Sequence, residues 1–209
     1  MSSNKTIFFV LILLQALILI SCGENKNNNQ PIGNQPDFNN PEVVLQQAKN
    51  ILGDNVKFAY KGYFDNDSTV EIAAGTEVQS EKNYGIKFTL LKEINGQLST
   101  VYESPVLNGS FKECLVKKIK FPMFNYELVY YNSQSFYLGS GGGEVFSYIV
   151  NYKDKKVYYA HFISVPSHPV SLYLSDNIDV EGIKNFFISI FKRDYPTFKV
   201  IDKDIILKY

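Results

Sequence analysis

The sequence has no tryptophan, two cysteines, two histidines and no net charge, with 21 basic residues against 21 acidic ones. Two cysteines exclude a disulfide-dense scaffold, and with two histidines they leave little for a zinc-type cluster. The balanced charge argues against a domain built to clamp nucleic acid, which carries a basic excess. Charged residues make up 20% and apolar ones 45%, so wholesale disorder is excluded as well. What is abundant is Phe and Tyr, with 16 and 15 copies in 209 residues.

The apolar residues are unevenly spread. Lys5 is followed by a run from Ile7 to Ile20 that only Gln15 interrupts. Such a run is short for a bilayer span, which takes about 20 residues, and it has the length and flanks of a secretion signal. It ends in Leu19-Ile20-Ser21-Cys22. This tetrapeptide resembles the lipobox of bacterial lipoprotein signal peptides, with Ile20 a permitted variant. The resemblance implies removal of residues 1–21 and diacylglyceryl attachment to the Cys22 sulfur. It also implies a further acyl chain, such as palmitate, on the new amino group in many bacteria. Two or three chains anchor stably where one does not. Gly23 follows, not the Asp that resembles an inner-membrane retention signal, so the implied address is the cell envelope, and the outer membrane in a diderm host. Without residues 1–21 the chain keeps 20 basic and 21 acidic groups, a net charge of −1. Cys114 is then the remaining thiol, expected as a small packing residue.

Residues 22–39 read as the lipidated Cys and a tether, because Gly23 to Asn40 is rich in Asn, Gln, Gly and Pro. Residues 40–209 read as one globular domain. Asn40, Pro41 and Glu42 give a helix start, Val44, Ala48 and Ile51 an apolar stripe, and Gly53 a stop. From Asn55 the period changes to two. Phe58–Gly62, Val70–Ala74, Ile86–Leu90 and Leu98–Tyr102 read as strands, the last two joined by the hairpin signal Asn95-Gly96. A second block contains Tyr126–Tyr130, a turn at Asn132-Ser133, a short strand Ser135–Leu138, then Phe146–Tyr152 and Val157–Ile163. The Gly139–Gly143 loop between them lacks the Lys-Ser/Thr and helix that make a phosphate cradle. Asp179 is a cap for a second helix carrying Val180, Ile183, Phe187, Ile190 and Phe191, and Phe198–Leu207 reads as a last strand. Segregated strand and helix runs give an α+β fold. It is mostly antiparallel, two strand-rich blocks forming a sandwich or a curled sheet, with an N-terminal and a C-terminal helix.

Residues 62–75, Gly-Tyr-Phe-Asp-Asn-Asp-Ser-Thr-Val-Glu-Ile-Ala-Ala-Gly, resemble an FG-GAP (integrin-like, VCBS) repeat, with the likeness extending to about residue 105. Phe64, Asp65, Asp67 and Glu71 fall on the family's positions, while Tyr63 replaces its first Asp and Ser68 a turn Gly. The resemblance implies a calcium loop with Asp65, Asp67 and Glu71 as ligands, carboxylate oxygens suiting a hard cation. The residues alone read first as an Asx turn between strands, the missing carboxylate at Tyr63 counting against the metal. The resemblance would make the second block a degenerate companion, with Glu127 or Glu144 as its acid, although it lacks the Asp-x-Asp loop.

No spacing picks out a catalytic set. His161 lies mid-strand, His168 lies beside Pro169, and no Gly-x-Ser-x-Gly elbow is present. The leading expectation is therefore a lipid-anchored envelope protein with a non-catalytic binding or assembly domain. Its partners would be the membrane, through the anchor, and an envelope protein or glycan, with no nucleic acid and no obligate cofactor. The alternatives are an envelope hydrolase using His161 or His168, and a calcium-stabilised structural module. The aromatic strands make either core and cross-strand pairs or an outward binding row.

Overall fold

Asn40 starts the first described helix because its side chain accepts a hydrogen bond from the Glu42 N–H at 2.9 Å, with Pro41 in the first helical position. The computed structural model describes residues 36–67, 69–79, 84–136, 142–166 and 168–202. By its contacts the chain divides into Met1–Pro36 and Asp37–Tyr209, and every helix and strand described belongs to the second unit. The run expected to be a signal, Cys22 and most of the expected tether, up to residue 35, lie outside the described residues.

Helix α1 spans Pro41–Leu52 and stops at Gly53, whose φ of 88° is one that residues with a Cβ rarely adopt. Strands β1 (Val56–Gly62), β2 (Glu71–Gln79), β3 (Tyr84–Ile94) and β4 (Gln97–Glu103) form an antiparallel sheet in chain order. The β3–β4 turn is Asn95-Gly96, at φ 54° and 79°, the left-handed pair that this hairpin needs. The second sheet has six strands in the order β10-β9-β8-β7-β6-β5. They are β5 (Cys114–Ile119), β6 (Leu128–Phe136), β7 (Gly143–Asn151), β8 (Lys156–Ser164), β9 (Ser171–Leu174) and β10 (Lys199–Asp202). All neighbours are antiparallel except β9 and β10, which are parallel and joined through helix α2 (Glu181–Asp194).

The period of two, with apolar groups on both faces, has a direct structural cause: each sheet is covered on both sides at its centre. On the outer face of the first sheet, Val44 and Ala48 of α1 pack on Ala59, Ile72, Ala74 and Leu91. Between the sheets, Phe64, Ile86, Phe88 and Leu90 meet Val129, Tyr131, Tyr148, Val150, Tyr152 and Tyr159. On the far side, Ile183, Phe187 and Phe191 of α2 cover Leu128, Tyr130, Ile149, Tyr158, Phe162 and Leu172. The result is four layers, helix on sheet on sheet on helix. The fold is α+β and mostly antiparallel, with the sandwich in place of one curled sheet. Each large side chain buried here contributes about 1.5–3 kcal/mol, so most of the Phe and Tyr content is core.

Several local expectations are corrected. Asn132-Ser133 is no turn: β6 runs through it, because Asn132 is held between Leu115 of β5 and Ser147 of β7. Its polar side chain is accommodated by donating to the Tyr130 hydroxyl at 2.9 Å. The Ser135 strand is the end of this same β6, with residues 137–141 outside the described residues. Strands β5 and β9 add to the set that the sequence pattern marks. Asp179 does not cap α2: the N-cap is Val180, without a side-chain bond, because the Asp179 carboxylate accepts from Lys156 Nζ at 2.6 Å. The final strand is described over Lys199–Asp202, and residues 203–207 lie outside the described ones.

Candidate functional site

The acidic loop that the sequence marks is gathered by the turn from β1 into β2. Phe64 is fully buried, with its ring edge-on to Tyr152 at 5.6 Å, which pins the loop to the inter-sheet core. Beyond it Asn66 takes φ 72°, and Asp65 Oδ1 accepts the Asp67 N–H at 3.1 Å, an Asx turn. Asp67 Oδ1 accepts the Thr69 N–H at 2.7 Å. Glu71 opens β2 with no solvent exposure, and its Oε2 accepts the N–H groups of Phe64 at 2.6 Å and Asp65 at 3.1 Å. Asp65, Asp67 and Glu71 thus bring carboxylate oxygens within 4.8 Å of one another. The Asx turn and the acidic cluster are two aspects of one loop.

A fourth residue, which no motif in the sequence announces, completes this cluster. Lys92 of β3 is the direct cross-strand partner of Glu71. Its ammonium donates to Asp65 Oδ2 and Asp67 Oδ2 and lies 3.5 Å from Glu71 Oε1. The Lys92 hydrogen bond holds the Asp67 carboxyl below its ordinary value. Burial alone would lower Lys92, but Asp65, Asp67 and Glu71 together raise it. Burial, and then the neighbouring Asp65 carboxylate, push Glu71 up to about 7, against the pull of the Phe64 N–H and Lys92.

Beside this loop lies a groove of about 630 Å³ at the joint of the two sheets and the start of α1. Tyr60, Lys61 and Tyr63 enter it from the end of β1, Lys118 and Lys120 from the end of β5, and Tyr126 and Glu127 from the approach to β6. Its walls are tied together. The Tyr60 hydroxyl donates to the Val116 carbonyl at 2.9 Å, and Lys118 Nζ donates to the Lys61 carbonyl at 2.9 Å. Glu127 pairs with Lys118 at 3.1 Å, accepts the Tyr63 N–H at 3.2 Å and donates its own N–H to the Tyr63 carbonyl at 2.7 Å. Gly62 permits this approach, since a Cβ there would stand 2.4 Å from Glu127 Oε2. Lys61 donates to Asn39 at 3.0 Å, while Lys120 is exposed and has no polar partner among the described residues. Tyr63 is 49% exposed. Phe38 and Asn39 also line the groove, so the chain enters the domain beside it.

The histidines occupy another edge. Phe146, His161 and Tyr173 are cross-strand neighbours on β7, β8 and β9. They form a half-buried aromatic row at the margin of the shared core, with Phe146 packed against it. His161 Nε2 lies 2.9 Å from Glu144 Oε2. Burial lowers its pKa, and the hydrogen bond and charge of Glu144 offset part of that. His168 is exposed on the rim of a depression of about 410 Å³ with Ile163, Tyr173 and Lys199. Among the described residues its ring nitrogen approaches only the Pro166 carbonyl, at 3.4 Å. Among the described residues no serine hydroxyl bonds to either histidine. Among the described residues neither Glu127 nor Glu144 belongs to a second acidic cluster: Glu127 pairs with Lys118 and Glu144 with His161. Cys114 is half buried at the margin of the inter-sheet core, and burial, then the charge of Glu77, raise its thiol.

No helix among the described residues is long and apolar enough to cross a membrane. Comparison of the chain with protein-family models, with curated proteins and with solved structures gives no match.

Proposed function

We propose that this chain is a lipid-anchored cell-envelope protein whose domain is a non-catalytic binding module, and that the lysine- and tyrosine-lined groove binds an acidic glycan. The observation that carries the reading is the groove's lining. Tyr60, Tyr63 and Tyr126 supply flat amphipathic rings suited to the apolar faces of sugar rings, and Lys120 and Lys61 supply cations for carboxylates, with Lys118 held by Glu127. Lys120 has no polar partner among the described residues and is therefore available to a ligand. The anchor at Cys22 rests on the Leu19-Ile20-Ser21-Cys22 resemblance, and a chain that reaches the domain beside the groove agrees with a ligand in the envelope.

The test uses the chain from residue 22 with Cys22→Ser, titrated with a uronic-acid oligosaccharide and with its neutral methyl ester. The acid is expected to bind, the ester more weakly, and Lys120→Glu to weaken the acid about tenfold, equivalent to about 1.4 kcal/mol. Equal binding of acid and ester, or none of either, would refute the glycan reading. The anchor is tested separately: Cys22→Ala is expected to abolish labelling of the full chain by radioactive palmitate.

A further inference from the structure

Among the described residues, the carboxylates of the loop that resembles a calcium site are already engaged by the protein's own donors. Calcium takes 6–8 oxygens at about 2.3–2.6 Å. Here Asp65 Oδ1, Asp67 Oδ1 and Glu71 Oε2 are already acceptors of backbone N–H groups from Asp67, Thr69, Phe64 and Asp65. The oxygens left over are one per acid: Asp65 Oδ2, Asp67 Oδ2 and Glu71 Oε1. All three face the Lys92 ammonium. An ammonium has donors and no acceptor: two of its N–H groups bond Asp65 and Asp67, and its charge faces Glu71 Oε1 at 3.5 Å. Glu71 Oε1 is buried and makes no hydrogen bond among the described residues, so the Lys92 ammonium at 3.5 Å is the charge that compensates it. Lys92 is fixed to the spot by register, since it stands opposite Glu71 in the β2–β3 ladder, and its side chain is 18% exposed.

We propose that Lys92 is the built-in cation of this loop: its ammonium takes the place that a divalent ion would fill, and the loop is closed and stable without metal. It follows that the position is a latent site. Removing the ammonium while keeping the three acids leaves a partly buried cluster of carboxylates, and a hard divalent ion is the group that neutralises it.

The experiment is thermal melting of the full chain from residue 22, with Cys22→Ser, in millimolar calcium and in chelator, together with calcium titration calorimetry. The unmodified loop is expected to melt identically in both and to bind no calcium. Lys92→Met is expected to lower Tm by at least about 2–4 °C in chelator and to regain part of it in calcium, since a ligand of the folded state raises stability. Asp67→Asn, in the exposed part of the loop, keeps the test decisive if Lys92→Met does not fold: it is expected to lower Tm equally in calcium and in chelator. Stoichiometric calcium binding with a raised Tm in the Lys92-containing chain would overturn the proposal. So would a Lys92→Met variant as stable as the parent in chelator, or an Asp67→Asn loss seen only in calcium.

Discussion

The ring of Phe146 lies flat against the imidazole of His161, with centroids 4.4 Å apart and planes 13° apart. The two are direct cross-strand partners on β7 and β8. The contact removes one face of the imidazole from water, and burial is the first cause of its lowered pKa. Glu144 acts in the other direction and does not prevail. The unfolded chain, with an ordinary histidine near 6.5, therefore binds a proton more readily than the folded one. Stability contributed by neutral His161 is complete above that value and declines as pH falls through it toward the depressed folded value. His161→Gln keeps a donor for Glu144 but cannot titrate. Urea unfolding between pH 8 and 5 is expected to show the parent losing stability relative to His161→Gln below about pH 6.5. A parallel pair of curves would disprove the buried, neutral histidine.

Gly75 on β2 stands opposite Phe58 on β1, and the Phe58 ring folds over it. A Cβ at Gly75 would meet Phe58 Cε1 at 2.0 Å and Phe111 Cζ at 2.7 Å. Phe58 is also edge-on to Phe111, with centroids 5.5 Å apart, so displacing it disturbs the ring cluster between the sheets. Gly75→Ala is expected to cost about 1–3 kcal/mol in urea unfolding, as overpacking does. The same substitution in a Phe58→Leu background is expected to cost distinctly less, because the nearer of the two clashing rings is gone. Equal costs in the two backgrounds would place the strain elsewhere.

Which parts of this architecture are readable from sequence depends on how local their causes are. Helix α1 needs only Asn40, Pro41 and Gly53, all within its own ends, and the β3–β4 hairpin needs only Asn95-Gly96. Strands β5 and β9 are not readable. The first is an edge strand whose Leu115 is 52% exposed among lysines, and the second has four residues. Neither carries enough alternation to stand out, and both exist because the sheet beside them offers open hydrogen bonds. The Asn132-Ser133 pair has turn chemistry, but a position between two strands overrides that local preference.

The candidate sites divide in the same way. Asp65, Asp67 and Glu71 are near neighbours in the chain, so their gathering is visible in the sequence. Lys92 reaches them only through the β2–β3 register, which no local pattern encodes. The groove joins Tyr60 and Lys61 to Lys118 and Glu127 across the joint of two sheets, and nothing near either segment announces the other. His161 and Glu144 meet across β7 and β8, a pairing that again depends on register.

Tyr152 and Tyr131 share the inter-sheet core and differ in one atom's surroundings. Tyr152 is 2% exposed, is edge-on to Phe64 and Tyr102, and its hydroxyl has no partner among the described residues. Burial, with Tyr102 beside it, pushes its phenol well above the ordinary value. The Tyr131 hydroxyl instead donates to the Ser110 carbonyl at 2.7 Å and accepts the Ser110 N–H at 2.9 Å, tying the segment before β5 to the core. A buried hydroxyl without a partner carries its desolvation cost uncompensated, whereas a bonded one leaves orphans when removed. Tyr152→Phe is therefore expected to be neutral or to stabilise by about 1 kcal/mol, and Tyr131→Phe to cost about 1–3 kcal/mol. Both substitutions delete the same single oxygen, so packing loss is matched between them. The difference in urea midpoints isolates the hydrogen bonds. A Tyr152→Phe variant as damaged as Tyr131→Phe would mean that the Tyr152 hydroxyl is satisfied, by a group such as a buried water.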